Sequence, residues 1–154
     1  SRISNDGDEL KGSTYLGGSE NDGINPAGSP LVRNYGDEMR GDIITDSLGN
    51  VYISSVTSST NFPSFNSFST TYRGGLTGAV LVKMDPQLKT ILWSSFLGGS
   101  GVDAAHTLKL DSALSIYLAG GTTSTNFPTT DNGYQKVLAG DVDGWLARIA
   151  PNGD

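Results

Sequence analysis

Thr14-Tyr15-Leu16-Gly17-Gly18-Ser19 returns 81 positions later as Ser95-Phe96-Leu97-Gly98-Gly99-Ser100, and Asn61-Phe62-Pro63 returns 65 positions later as Asn126-Phe127-Pro128. A repeat at fixed spacing decides the architecture before any single element does. The second spacing also matches Asp46 with Asp111, Tyr52 with Tyr117, Thr57 with Thr122, Lys83 with Arg148 and Pro86 with Pro151. Gly36 already matches Gly101 at 65, so the first copy carries the difference between 81 and 65, 16 residues, as an insertion placed at Glu20 to Tyr35.

Within each copy the apolar runs are short, rich in β-branched and aromatic residues, and bounded by Gly, Pro, Asn, Asp and Ser. That pattern predicts strands rather than helices. The first copy reads as strands over Ile43 to Asp46, Val51 to Val56, Ala79 to Met84 and Ile91 to Leu97; the second reads as strands over Thr107 to Leu110, Ile116 to Ala119 and Gly144 to Ile149. The one helical candidate is a turn or two near Tyr134 to Leu138. Four antiparallel strands per copy predict an all-β fold of β-propeller blades, each a four-stranded antiparallel meander. The 65-residue spacing exceeds the roughly 40 to 50 of common blades. Two blades do not close a ring, because propellers run from about four to eight. Ser13, Thr14, Tyr15 and Leu16 read as a spare fourth strand ahead of blade one, and blade two is expected to lack its last strand. The expectation is therefore two blades of an incomplete or oligomer-completed propeller, with Ser13 to Leu16 as the assembly strand and either other blades of a parent chain or identical chains as partners. The expected division is a tail over 1–12, the spare strand and first blade over 13–97 with its insertion at 20–35, and the second blade over 98–154.

Thr14-Tyr15-Leu16-Gly17-Gly18-Ser19, Asp46-Ser47-Leu48-Gly49-Asn50-Val51-Tyr52, Thr57-Ser58-Ser59-Thr60-Asn61-Phe62-Pro63 and a short strand ending at Pro86 together resemble the bacterial beta-propeller repeat called the SBBP repeat. The resemblance covers most of residues 13–153 and occurs twice. The second copy departs from it at Ala113-Leu114-Ser115, where the first has a Gly49-Asn50 turn. The resemblance implies a secreted or cell-surface bacterial protein, often large and multidomain, and brings no catalytic residues with it.

Composition removes several function classes. With no Cys there is no disulfide, thiolate metal site or Cys nucleophile. A formal net charge of −6 leaves no basic stripe for nucleic acid, and no apolar run approaches the roughly 18 residues of a membrane span. His106 is the single imidazole, no spacing picks a catalytic pair from 16 acids, and no phosphate loop or metal motif is present. No catalytic residue is assigned. The chain is expected to be a non-enzymatic, extracellular or cell-surface scaffold or protein-interaction module, and a hydrolase needing further blades is the remotest alternative.

The nearer alternative is glycan binding. Phe65, Phe68, Tyr72 and Tyr134 fall in the two long loops after the second strands, and Arg33 and Tyr35 fall in the insertion; binding residues collect on loops held by a rigid scaffold. Phe62 and Phe127 recur in both copies and read as pins for those loops. Asn5 to Glu9, Glu20 to Gly23 and Asp141 to Gly144 invite a calcium reading, but none has the full ligand pattern, so they read as solvated turns and no cofactor is expected. Arg40-Gly41-Asp42 spells an adhesion tripeptide, yet it leads straight into a strand and reads as a chance match.

Overall fold

In the computed structural model, which describes residues 1–33 and 37–154, the chain forms three antiparallel sheets. A small hairpin pairs β1 (Arg2–Ile3) with β2 (Leu10–Gly12). The first large sheet runs in the order β3 (Asp42–Thr45), β4 (Val51–Thr57), β5 (Gly78–Met84), β6 (Ile91–Leu97). The second runs β7 (Asp103–Leu110), β8 (Ile116–Thr122), β9 (Asp143–Ile149). All seven long strands lie where the apolar runs predict them, with β7 beginning earlier, at Asp103, and β8 continuing to Thr122.

The turns between the first two strands of each sheet are built by one carboxylate. Asp46 Oδ1 accepts the N–H groups of Leu48 and Asn50 at 3.0 and 2.9 Å, and Asp111 Oδ1 accepts those of Ala113 and Ser115 at 2.9 and 2.8 Å. Such Asx bonding ends a strand and reverses the chain. Gly49 sits at φ 81°, and Leu114 takes the same left-handed place at φ 62°. The departure from Gly-Asn thus changes the residue while keeping the turn.

Strand alternation sorts side chains between two faces. Tyr52, Leu81, Trp93 and Leu97 of the first sheet pack against Leu108, Ile116, Leu118, Trp145 and Ile149 of the second, forming the main core. Tyr52 and Trp93 meet edge to face at 6.4 Å, a geometry aromatic pairs favour. The first sheet's other face carries Val51, Val80, Val82, Met84 and Phe96, against which Phe62, Leu16 and Leu88 pack.

Three sequence expectations change. Ser13 to Leu16 is in no strand of the single chain, and among the described residues the nearby β1 and β2 pair with each other. Tyr134 to Leu138 is not helical, and the helical turn that does form is a 3-10 turn at Asp37–Met39. The extra residues of the first copy overlap the expected Glu20 to Tyr35 but have shifted bounds. Asp22 bridges Thr57 as Asp103 pairs with Thr122, and Asp42 pairs with Ser54 as Thr107 pairs with Ala119. The additional length therefore lies between Asp22 and Asp42, interrupting the first strand where β7 has only a bulge between Ala105 and Thr107.

Candidate functional site

The polar residues that recur in both copies converge on two matching knots. Asp22 Oδ2 accepts the Gly18 N–H at 2.8 Å and the Ser59 hydroxyl at 3.1 Å, while its other oxygen accepts the Thr57 hydroxyl. Asp103 Oδ2 accepts the Gly99 N–H and the Ser124 hydroxyl, both at 2.8 Å, and its partner oxygen accepts the Thr122 hydroxyl. Asn61 Oδ1 takes the Ser19 N–H at 2.9 Å, and Asn126 Oδ1 takes the Ser100 N–H at 2.8 Å. A carboxylate with three donors and a buried setting is a structural tie, since every lone pair used here is one withheld from a ligand. Gly17 and Gly98 are required at the knots: a Cβ there would lie 2.5 and 2.6 Å from the Asp22 and Asp103 carboxylates. The Asp pair escapes a reading that ends the repeat at Ser19, but its signal is present as Gly-Gly-Ser-x-x-Asp at 17–22 and 98–103.

The candidate aromatics do not form one platform. Phe65 is bound to the outer edge of β6, exchanging backbone hydrogen bonds with Ser94 at 3.0 and 2.8 Å, and the Phe68 N–H donates to Gly153 O at 3.1 Å; both rings stay half-exposed. Tyr72 packs edge-on against Phe96 at 5.6 Å and donates to Gly75 O, and burial first, then the Asp103 charge, pushes its hydroxyl pKa up. Tyr134 stands fully exposed in the loop before β9. Arg33 is exposed, its N–H donating to Asp37 Oδ2 at 3.0 Å, and Tyr35 lies outside the described residues.

Asp42 of the Arg-Gly-Asp stretch joins the two large sheets instead of meeting a partner. Its Oδ2 accepts the Thr107 hydroxyl at 2.9 Å and the Leu108 N–H at 3.1 Å, and the Leu108 bond is the main cause of its lowered pKa. His106, at the β7 bulge, is half-buried with Nδ1 lacking a hydrogen-bond partner among the described residues. Burial, then the charge of Arg40, lowers its pKa against the opposing pull of Asp37, so the ring is neutral near pH 7. Of the acidic stretches, Asp8 accepts from Ser4, Asp22 is in its knot, and Asp143 accepts from Ala139 N–H and Gln135. Among the described residues no group of three or more His, Cys, Asp or Glu is arranged to hold a metal.

Concave regions lie on both large sheets. A cavity of 640 Å³ runs beside β9, lined by Phe127, Tyr134, Val137, Trp145 and Arg148 among others. A groove of 560 Å³ lies on the open face of the first sheet, lined by Leu16, Ile43, Val51, Ile53 and Leu88 among others. No described helix is long and apolar enough to cross a membrane. Comparison with family models, with curated proteins and with solved structures finds no match to this chain.

Proposed function

We propose that the two large sheets are propeller-type blades of the kind the SBBP resemblance implies, serving as a non-enzymatic scaffold or protein-interaction module on a secreted or surface-attached protein. The supporting observation is the pair of Asp22 and Asp103 knots. The most strongly recurring polar residues are engaged with their own chain, which leaves sheet faces and edges as the surface on offer. A repeated module whose chemistry is internal works by presenting shape.

A glycan-binding role is a second reading, favoured by the half-exposed rings of Phe65 and Phe68 on one ordered loop. The scaffold reading expects an unresponsive glycan array and no turnover across a panel of glycosidase, esterase and peptidase substrates. Array binding abolished in Phe65→Ala or Phe68→Ala would move the assignment to the lectin reading, and turnover that tracks the folded protein would overturn both.

A further inference from the structure

We propose that the cavity beside β9 and the groove on the first sheet are two halves of one contact between copies of this chain, in which residues 12–16 of one copy pair with β9 of the next. The inference rests on the scaffold reading and names its partner. Among the described residues, no strand pairs with the outer edge of β9.

The chain supplies the register itself. Along the first sheet β5 pairs with β6 as Ala79 with Leu97, Val80 with Phe96, Leu81 with Ser95 and Lys83 with Trp93. Moving β5 forward by 65 gives β9, and moving β6 back by 81 gives residues 12–16. Gly144 then faces Leu16, Trp145 faces Tyr15, Leu146 faces Thr14 and Arg148 faces Gly12. The segment already lies on the first sheet as β6 lies on the second. Leu16 packs against the first sheet's open face, as Leu97 packs into the core between the sheets. Pro86 O accepts Arg2 Nη1 at 3.1 Å, as its repeat mate Pro151 O accepts Trp93 Nε1 at 3.1 Å.

Tyr15 is the anchor. It corresponds to Phe96, whose ring sits 6.2 Å from Phe62 and 5.6 Å from Tyr72. The matching positions in the second repeat are Phe127 and Val137, and both line the 640 Å³ cavity. Tyr15 itself is fully exposed in the single chain, and a buried aromatic in a fitted pocket is the commonest source of binding energy at an interface. The other half of the contact repeats the core. Tyr117 and Leu146, exposed on the second sheet, match Tyr52 and Leu81, which are buried against it. Ile43, Val51 and Ile53 of the groove match Leu108, Ile116 and Leu118, which do the covering. Such a contact is head-to-tail, and it closes where the sheet-to-sheet rotation completes a circle, which for four to eight blades means about two to four copies.

The absence of native Cys makes cross-linking a clean test. The double variant Thr14→Cys/Leu146→Cys should oxidise into multimers, and a mixture of the two single variants should give one disulfide-linked dimer band. Thr14→Cys/Arg148→Cys, out of register by two residues, should link at least tenfold less. Tyr15→Asp should abolish linking in the in-register pair and leave the thermal unfolding of the reduced chain unchanged at concentrations where it is separated. Equal linking in both registers, no linking in either, or linking indifferent to Tyr15→Asp would overturn the contact. None of those results bears on turnover or the glycan array, so the scaffold reading stands or falls separately.

Discussion

The two large sheets are near-copies in sequence and differ in what covers them. Tyr52 and Leu81 on the first sheet are both 0% exposed, whereas Tyr117 and Leu146, at the same places on the second, are 40% and 76% exposed. The cation beside the ring is kept in both: Lys83 Nζ stands 4.9 Å from the Tyr52 ring centre, and the Arg148 guanidinium stands 5.9 Å from that of Tyr117. The covered Tyr52 has its pKa pushed up to about 12, first by burial and then by Asp46, whose carboxylate accepts its hydroxyl. One repeat thus shows the side chains covered by a neighbouring sheet, and the other shows them uncovered. The knots differ in the same sense, since Asp103 is fully buried and Asp22 half-buried.

The comparison can be broken first in the core. Leu81→Ala is expected to lose about 3 kcal/mol of stability in urea unfolding, as large-to-small changes at buried leucines do, and Leu146→Ala about 0.5 kcal/mol or less in the separated chain. Equal losses would mean that Leu81 and Leu146 are not in different environments. At the knots, Asp103→Ala leaves buried donors without an acceptor and is expected to cost about 2 to 3 kcal/mol, against about 1 kcal/mol for Asp22→Ala, where water can replace the carboxylate. A reversed order, read in the same assay, would contradict the burial difference.

The pH dependence tests the tie between the sheets. Asp42 has its pKa lowered mainly by the Leu108 N–H, so the stability it contributes is fully present above the unfolded value near about 4 and is lost as the pH falls through the folded value. Asp42→Asn should therefore lose less stability than the parent between about pH 6 and pH 3. Parallel profiles would remove Asp42 from the account. The smallest effect belongs to the turns. Leu114→Gly relieves a left-handed leucine and should add about 0.5 kcal/mol, whereas Gly49→Ala should lose about 1 kcal/mol. A loss in Leu114→Gly or a gain in Gly49→Ala would mean the two turns are not equivalent.

Much of this was legible in the residues. The short apolar runs locate β3 to β9 because each is rich in strand-forming residues and bounded by turn formers, and the repeat spacing alone pairs Asp46 with Asp111. The β1–β2 hairpin was not legible, since strands of two and three residues with single apolar side chains at Ile3 and Leu10 are too short to show a period. The bounds of the insertion follow from the bridge between Asp22 and Thr57, and the sequence signal for it is the Asp that ends Gly-Gly-Ser-x-x-Asp at 17–22 and 98–103. Covering is the least legible property of all. Tyr52 and Tyr117 have similar neighbours in sequence, and only the sheet stacked on the first makes them differ. For the same reason the aromatic candidates looked alike, although Tyr72 supports the Phe96 ring while Tyr134 stands in water.

The most direct measurement of the central claim, that the open faces of the two sheets are complementary halves of the contact already formed between them, is solution mass by light scattering over a range of concentrations. The wild-type chain should reach a discrete multiple of 16.1 kDa at about two to four copies, and Tyr15→Asp should stay at 16.1 kDa. A wild-type mass of 16.1 kDa at every concentration would contradict it.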